Sequence, residues 1–238
     1  MANIEISSVG ARVRVAFETT PGVRPTFGYC DVPKVQSAPE QDMSVDTIDA
    51  SSISDYFKVY IDGQQDPGGD QQFNLIHSDD TIDFWDKLAS DAITKEAAGK
   101  RLWWEYWFPN TKKSYFYAGK PKSLGTSGIN INELDTIPAH VVFKQHEGWK
   151  AHSGVAVDKN YIVVGVGESA VFNIYSYSGT PTAVSSAVGT ATATKGSEIK
   201  DPGGTAYIPV TVAGVATGTT TITITDGADS FTIDVVVE

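Results

Sequence analysis

The closing stretch of the sequence, residues 210–238, consists of short β-branched runs separated by glycine. Residues 221–225 read Thr-Ile-Thr-Ile-Thr, so an extended chain there has one apolar face and one hydroxylated face. Gly214 and Gly218 bracket a turn, and Asp226-Gly227 is typical of a two-residue hairpin loop because both positions tolerate positive φ. This pattern predicts short antiparallel strands and constrains the C-terminal third of the chain to an all-β sandwich.

The same segment resembles the bacterial immunoglobulin-like domains of the Big-2 type, whose last strands carry a glycine turn followed by alternating isoleucines. The resemblance implies an immunoglobulin-like β-sandwich over residues 154–238. Such modules decorate cell surfaces and phage particles and rarely carry out chemistry, so the function is expected to depend on the first domain, residues 1–153. We interpret segment 148–154 as a linker and predict that the first domain folds without the second.

Composition excludes several classes of protein. The chain has 238 residues, of which 41% are hydrophobic and 20% charged, which is typical of a globular protein and not of a disordered one. No apolar run approaches the ~20 residues needed to span a bilayer, and the first residues lack the segments of a signal peptide. The single cysteine, Cys30, precludes an intrachain disulfide and fits a reducing compartment. We therefore expect synthesis in the cytoplasm and no membrane partner.

Acidic residues are concentrated in one segment of the chain. Residues 40–91 hold thirteen acidic residues and two lysines, a net charge of −11, which equals the formal charge of the whole chain. Residues 101–152 are mildly basic, with seven Lys or Arg against four acids. Readers of duplex DNA neutralise phosphates with clustered Lys and Arg, so this distribution excludes that class. A solvated acidic surface that keeps the protein soluble is the simpler interpretation and stays open.

Periodicity places one helix among strands in the first domain. Ser78 is a candidate N-cap followed by two acids, and apolar residues at helical spacing predict an amphipathic helix over 79–90. Gly99 ends any helical continuation. The predicted strands are 11–17, 72–76, 101–108, 113–119 and 139–145. The first domain is therefore predicted to be α+β within a mainly β chain.

The sequence contains no convincing catalytic, cofactor or metal motif. Residues 165–170, Gly-Val-Gly-Glu-Ser-Ala, match a dinucleotide-binding pattern, but an alternating strand follows where that pattern requires a helix. His140, His146 and His152 recur at a spacing that fits neither one helix face nor a known zinc site. Acidic turns in 62–70 lack the order and closing Glu of a calcium loop. We expect a protein that is not an enzyme and has no cofactor, no metal and no catalytic residue.

Four features in chain order resemble the major tail tube protein of long-tailed, lambda-like bacteriophages. They are a long acidic loop ending in residues 66–73, the helix 79–90 with its Phe84-Trp85, an aromatic strand ending Phe108-Pro109-Asn110, and the C-terminal immunoglobulin-like domain. The chain departs from that family in the longer turn at 110–113 and in three tryptophans crowded into one strand. These departures leave the subgroup open.

The resemblance implies a structural virion protein of a long non-contractile tail. It implies a tail-tube domain that is a β-sandwich or barrel with one flanking helix and a long loop. It also implies self-assembly into hexameric rings stacked as a tube, through which double-stranded DNA passes without specific binding during ejection into the host. The implied partners are further copies of this chain and the tail terminator, tape measure and tail tip proteins. An acidic tube wall agrees with this function because negative potential repels phosphate.

The acidic loop, residues 37–70, carries eight acids against one lysine and cannot bury them within its own domain. In line with the resemblance, we assign the loop to contacts between stacked rings and the mildly basic region of the first domain to its partner surface. The candidate ring-stacking residues are Asp42, Asp46, Asp49, Asp55, Tyr56, Phe57 and Tyr60. The candidate partner residues are Lys112, Lys113, Lys120 and Lys122.

The aromatic strand leaves two interpretations open. Residues 102–108 alternate between two faces that are both apolar apart from Glu105, which predicts a strand covered on both sides. The candidate core or subunit-interface aromatics are Trp85, Trp103, Trp104 and Trp107. In the alternative, Trp103, Trp104 and Trp107 form the stacking platform of a surface adhesin or carbohydrate-binding protein, together with the immunoglobulin-like domain.

Overall fold

The structure is a computed structural model that describes residues 10–41, 45–52, 57–58, 60–65, 69–126 and 134–238. These residues form eighteen strands and one helix, so the chain is mainly β, as predicted. The strands belong to a twelve-stranded sheet, a four-stranded sheet and a separate two-stranded hairpin. Within this described part of the chain the sheets stay open and no barrel closes.

The first part of the chain contains nine strands and the helix. Their bounds are β1 Arg12–Phe17, β2 Tyr29–Asp31, β3 Val35–Ser37, β4 Val45–Asp49, β5 Tyr60–Gln65, β6 Asp70–Ile76, α1 Asp79–Ala97, β7 Leu102–Trp107, β8 Lys113–Pro121 and β9 Thr136–Ala151. The remaining nine strands are β10 Ala156–Val157, β11 Tyr161–Val164, β12 Ser169–Tyr175, β13 Thr182–Ser185, β14 Ala191–Lys195, β15 Ile199–Lys200, β16 Ala206–Gly214, β17 Gly218–Asp226 and β18 Asp229–Val237.

The twelve-stranded sheet runs through both predicted domains. Its strand order is β14-β16-β12-β10-β2-β1-β7-β8-β9-β6-β3, with β15 added on β16. The β1–β7 pair is antiparallel over six residues of each strand, from Arg12 opposite Trp107 to Phe17 opposite Leu102. The sequence pattern did not predict this continuity, because it arises from pairing between residues that are far apart in the chain.

Helix α1 begins after the predicted N-cap, Ser78, and ends before the predicted stop at Gly99, but it is longer than the predicted span 79–90. Ser78 Oγ accepts the Thr81 amide at 3.4 Å, as an N-cap does. At the other end, the Gly99 amide donates to Glu96 O at 2.9 Å, and Gly99 has φ +73°. Residues 93–97 are exposed, so the apolar periodicity that marks the first turns does not extend to them.

The helix covers one face of the large sheet. Its buried residues, Trp85 and Leu88 among them, pack onto an apolar cluster from β1, β6, β7, β8 and β9. Trp85 lies 6.4 Å from Phe73 and 5.8 Å from Trp104, measured between ring centroids. A smaller cluster lies on the opposite face of the sheet, and its members are Ala16, Tyr29, Trp103, Phe116, Ala118 and Ala156. The aromatic strand β7 is therefore covered on both sides, as predicted.

The C-terminal part forms a sandwich. One layer is the β10-β12-β16-β14 end of the large sheet, and the other is the four-stranded sheet β11-β18-β17-β13. Ile222 and Ile224 are fully buried between the layers, whereas the alternating threonines of β17 are partly exposed. The β17–β18 hairpin forms as predicted, but its loop is Gly227-Ala228, one residue later than expected, because Asp226 pairs with Asp229.

Segment 148–154 is not a linker, and that prediction is wrong. Strand β9 continues through Ala151 and pairs with β8 up to Lys113. The Ser153 amide donates to Glu105 at 3.0 Å, and the Gly154 amide donates to Thr26 O at 2.7 Å. The glycines and polar residues that indicated a linker are held in place by long-range hydrogen bonds. The division of the chain at 153/154 stays a prediction.

Candidate assembly surfaces

The four predicted tryptophans are core residues. Trp85 and Trp104 are fully buried, Trp103 is 2% exposed and Trp107 is 8% exposed. Three of them donate their indole N–H to buried acceptors, which are Lys122 O at 2.7 Å from Trp85, Glu18 Oε1 at 2.9 Å from Trp103, and Gly119 O at 3.0 Å from Trp104. Rings that are buried in this way present no face to a sugar. The carbohydrate-stacking platform proposed for Trp103, Trp104 and Trp107 is therefore wrong.

The ring-stacking residues are placed only in part. Asp42, Asp55 and Tyr56 lie outside the described residues, and Asp46 is described only through the backbone of β4. Phe57 is 80% exposed and Tyr60 is 54% exposed. The carboxylate of Asp49, at the end of β4, lies 3.3 Å from Lys58 Nζ, and hydrogen bonds from Ser51 lower its pKa.

Strands β4 and β5 form a hairpin on their own. They pair with each other, from Val45 opposite Gln65 to Asp49 opposite Tyr60, and with no other strand in the described part of the chain. An isolated two-stranded hairpin is marginally stable in water at best. In the described part of the chain the hairpin shares no β-ladder with the sheets of its own domain, so pairing or packing with a partner would stabilise it.

The four candidate lysines do not form one surface. Lys112 and Lys113 lie at the start of β8, and Lys120 and Lys122 at its end, so roughly 23 Å of strand separates the two pairs. Lys122 Nζ lies 2.8 Å from Asp70, and Lys120 pairs with Glu96 of helix α1. No ion pair involves Lys112 or Lys113 within the described residues.

The first lysine pair adjoins an aromatic row that the sequence did not reveal, in which Trp149 is exposed, Phe108 half-buried and Tyr115 buried. Trp149 is 55% exposed, and its ring lies 5.8 Å from Phe108 and 5.6 Å from Tyr115. Because Lys113 and Tyr115 are two residues apart on β8, their side chains lie on the same face of the sheet. Trp149 fell inside the segment interpreted as a linker, so its place in β9 was missed.

A buried ion network joins the first strand to the C-terminal sandwich. Arg14 is fully buried, and it donates through Nε to Asp31 at 2.8 Å and through Nη1 to Ser176 Oγ at 3.0 Å. Arg12 donates to Asp31 at 2.6 Å and to Asp201 at 2.9 Å. Ser176 and Asp201 belong to the sandwich, so both arginines connect the two predicted domains.

Glu105 extends this network. It is fully buried and accepts the amide of Ser153 at 3.0 Å and the hydroxyl of Ser153 at 2.5 Å. One of its oxygens lies 4.0 Å from Arg14 Nη1, and the Arg14 guanidinium lies 4.6 Å from the centroid of the Trp107 ring. The signal available in the sequence was this single carboxylate in an otherwise aromatic strand, together with the arginines alternating in β1.

Backbone pairing also joins the first strands to the C-terminal sandwich. We call this contact, together with the network of Arg12, Arg14 and Glu105, the junction. Strand β10 pairs in parallel with β2 and antiparallel with β12, and the Gly28 amide donates to Val155 O at 2.8 Å. Gly28 has φ +75°, and a Cβ there would lie 3.2 Å from Phe231 of the sandwich. These contacts give a physical reason to doubt that residues 1–153 fold alone, contrary to our expectation from the sequence.

A second buried carboxylate, Glu18, organises the chain after β1. It accepts hydrogen bonds from Trp103 Nε1 at 2.9 Å, from Arg101 Nε at 2.9 Å and from the Gly22 amide at 2.8 Å. Burial of the carboxylate raises its pKa, but these hydrogen bonds outweigh burial and bring the pKa below its ordinary value. Glu18 is therefore held ionised inside the protein.

One Ser–His pair has the distance of a catalytic dyad but not its accessibility. Ser114 Oγ lies 2.7 Å from His152 Nδ1, and the other ring nitrogen donates to Thr111 O at 2.5 Å. Ser114 is fully buried, so no substrate reaches its hydroxyl. The pair ties the β7–β8 turn to the chain after β9.

Over the described residues, no group of three or more His, Cys, Asp or Glu could hold a metal, and no helix is long and apolar enough to cross a membrane.

A scan against protein-family models found no match, and a search of the curated proteins found none either. Among solved structures, domains 5-6 of the S-layer protein SbsC are 29% identical over 36% of this chain and 43% of that one, with a TM-score of 0.31. Domains 4 and 5 of the same protein are 26% identical over 52% of this chain and 64% of that one, with a TM-score of 0.31.

The structure of the phage p2 baseplate in its activated conformation with Sr is also similar to part of this chain. It is 12% identical over 93% of this chain and 83% of that chain, with a TM-score of 0.33. The chain spans 43% and 64% of the two SbsC fragments. TM-scores this low do not establish a shared fold. Functional inference therefore depends on the residues and contacts of this chain itself.

Proposed function

We propose that this chain is a structural virion protein that assembles into hexameric rings stacked as the tube of a long phage tail. The observation that carries the proposal is the isolated, acidic β4–β5 hairpin with exposed Phe57 and Tyr60. A hairpin that shares no β-ladder with the other described strands, bordered by exposed aromatic rings, is suited to contacts with another copy. The ordered motifs that resemble tail tube proteins support the same proposal.

The charge distribution supports a passive conduit. Residues 40–91 carry a net charge of −11, and the network around Arg12 and Arg14 is committed to ion pairs inside the protein. Neither feature offers duplex DNA a binding surface of clustered cations, so DNA would slide through such a tube without specific binding. In this proposal the protein is not an enzyme and uses no cofactor.

The partners and location follow from the proposed tube. The chain would contact further copies of itself along the tail and the terminator, tape measure and tail tip proteins at the ends and inside. It would be made in the host cytoplasm and be incorporated into the tail of the virion.

Negative-stain imaging and sedimentation of the purified protein test this proposal. We expect soluble protein at low concentration and rings or tubes as the concentration rises, because heterologous interfaces whose rotation closes produce rings. Sixfold rings in class averages would support the hexamer. Monomers at every concentration and salt, with isolated tail tips added as assembly initiators, would overturn the proposed function.

A further inference from the structure

The aromatic row at the β8–β9 end of the sheet, with Trp149 as its exposed ring, has the features of a receiving surface. Trp149 presents more than half of its surface to solvent, and Phe108 and Tyr115 support its ring from two sides. His146 lies 5.5 Å from Tyr115 and extends the row along β9. Large aromatic side chains that are both exposed and held in place are typical of interface centres.

Two cations border this row. Lys112 and Lys113 are exposed, and neither forms an ion pair in the described ranges. The other candidate lysines are already neutralised, since Lys122 pairs with Asp70 and Lys120 with Glu96. The available positive charge in this part of the chain therefore lies beside Trp149 and not at the far end of β8.

We infer that the surface formed by Phe108, Trp149, Lys112 and Lys113 receives the acidic β4–β5 hairpin of a second copy of this chain. The inference rests on the proposed function and assigns one surface as the contact between stacked rings. The hairpin and its loop, residues 45–65, carry four acids against one lysine, and this net negative charge complements the two lysines. Phe57 and Tyr60, which are exposed at the hairpin, complement the aromatic row.

The chain's own hairpin does not fill this surface. With that hairpin present in the structure, Trp149 is still 55% exposed. The hairpin's described acid, Asp49, pairs instead with Lys58. Trp149 on this surface and Phe57 and Tyr60 on the hairpin are all exposed to solvent in one copy.

Matched charge reversals test the inference. Lys112→Glu with Lys113→Glu reverses the receiving surface, and Lys120→Glu with Lys122→Glu reverses two charges at the other end of the same strand. We expect the first variant to need at least a tenfold higher concentration for tube formation, and Trp149→Ser to behave similarly. The second variant should assemble close to wild type, because exposed ion pairs such as those it loses contribute little to stability.

Assembly is measured by sedimentation and negative stain, and thermal unfolding of each variant checks that the subunit is intact. Because Lys112, Lys113 and Trp149 are exposed, we expect unchanged unfolding midpoints for their variants. The Lys120, Lys122 variant should unfold at a slightly lower midpoint, because each introduced glutamate faces a carboxylate, Glu96 or Asp70. A hairpin variant, Asp49→Lys with Asp55→Lys, should form mixed tubes with the Lys112→Glu, Lys113→Glu protein. Where the two proteins alternate, the unchanged acidic hairpin faces the unchanged lysines, and the lysine-bearing hairpin faces the introduced glutamates.

The outcomes separate the two proposals. If wild-type protein forms tubes and the Lys112, Lys113 and Trp149 variants form them equally well, this receiving surface is wrong and the proposed function survives. Loss of assembly in the Lys120, Lys122 variant alone would place the contact at the opposite end of β8 and also overturn the inference. If wild-type protein never assembles, both proposals fail.

Discussion

The β4–β5 hairpin and the junction around Arg14 differ in whether their charged side chains are exposed or buried. The hairpin exposes Asp49 and Phe57 and pairs only within itself among the described strands. The junction buries two carboxylates and an arginine completely or nearly so and adds a shared β-ladder. Breaking a buried ion network leaves a charge without solvent, whereas opening an exposed hairpin leaves its charges in water. The junction is therefore a permanent contact, and the hairpin is suited to one that forms on assembly.

Removal of the C-terminal sandwich should have the largest effect on folding, because it removes one side of the junction. A chain ending at Ser153 loses β10, so β2 loses one neighbour, and Arg12 and Arg14 lose Asp201 and Ser176. We expect loss of cooperative folding and aggregation on expression, as judged by circular dichroism and size-exclusion chromatography. A soluble, cooperatively folded product would show that the shared sheet is dispensable and that the domain division at 153/154 is right.

Substitution of Arg14 by Met tests the ion network without altering the sheet. Met fills a similar volume, but Asp31 loses its 2.8 Å partner and Glu105 loses the nearest cation. We expect the free energy of unfolding to fall by about 3–5 kcal/mol, the usual cost of removing one partner from a buried pair. Denaturant unfolding measures the loss.

The control for Arg14 is Lys87→Met, which removes an exposed i,i+4 pair with Asp91. Its cost should be about 0.5 kcal/mol or less. Equal losses in the two variants would mean that burial adds nothing to the network.

The contribution of the buried carboxylate of Glu18 to the free energy of unfolding depends on pH. Its folded pKa lies below the ordinary 4.5, so its contribution is present in full above that pH and is lost as the pH falls through the folded pKa. Glu18→Gln should cost about 1–3 kcal/mol at pH 7, the range for hydrogen bonds to a charged group. The difference from wild type should shrink below pH 4.5. Asp49→Asn, at the exposed hairpin, should show a change of the same sign but smaller in unfolding curves recorded from pH 3 to 7, because the hydrogen bonds that lower the pKa of Asp49 are exposed to solvent.

The smallest expected effect on subunit stability comes from the hairpin itself. Phe57→Ser with Tyr60→Ser removes two exposed rings and should change the free energy of unfolding by less than about 0.5 kcal/mol. The same variant should assemble poorly if the proposed stacking is correct. Hydrogen exchange sharpens this result, because β4 and β5 amides should exchange faster than those of β2 in free subunits and slow down in tubes. Equal protection of these amides in free subunits and in tubes would show that the hairpin takes no part in assembly.

Local signals predicted much of the fold, and long-range pairing accounts for what they missed. The helix cap at Ser78, the stop at Gly99 and the strand over 113–119 follow from spacing and turn residues, and the structure confirms them. No local signal indicates that β10 pairs with β2, because two residues in a parallel ladder leave no periodicity. The same limit applied to Gly148, which suggested a flexible connection but lies in β9 with φ +76°.

The candidate site was predicted in its chemistry and not in its arrangement. Sequence counts identified an excess of acids in the loop and of cations further on, but spacing along β8 decides that the four lysines point to two separate places. Burial decides the fate of aromatics in the same way. Trp104 in β7 and Trp149 in β9 are the same residue type in the two strands that flank β8, and only their position relative to helix α1 and the sheet edges makes one a core residue and the other a surface residue.

The parallel pairing of β2 with β10 also sets an order in time. Tyr29 and Cys30 leave the ribosome early, yet their partners Ala156 and Val157 emerge more than a hundred residues later. At about 5–20 residues per second, that interval lasts roughly 6 to 25 s. During it, the edge of β2 and the Arg14 side chain have no lasting partners on the sandwich side. A nascent chain therefore completes its large sheet late in synthesis, and the complete subunit is produced only after the sandwich has been made.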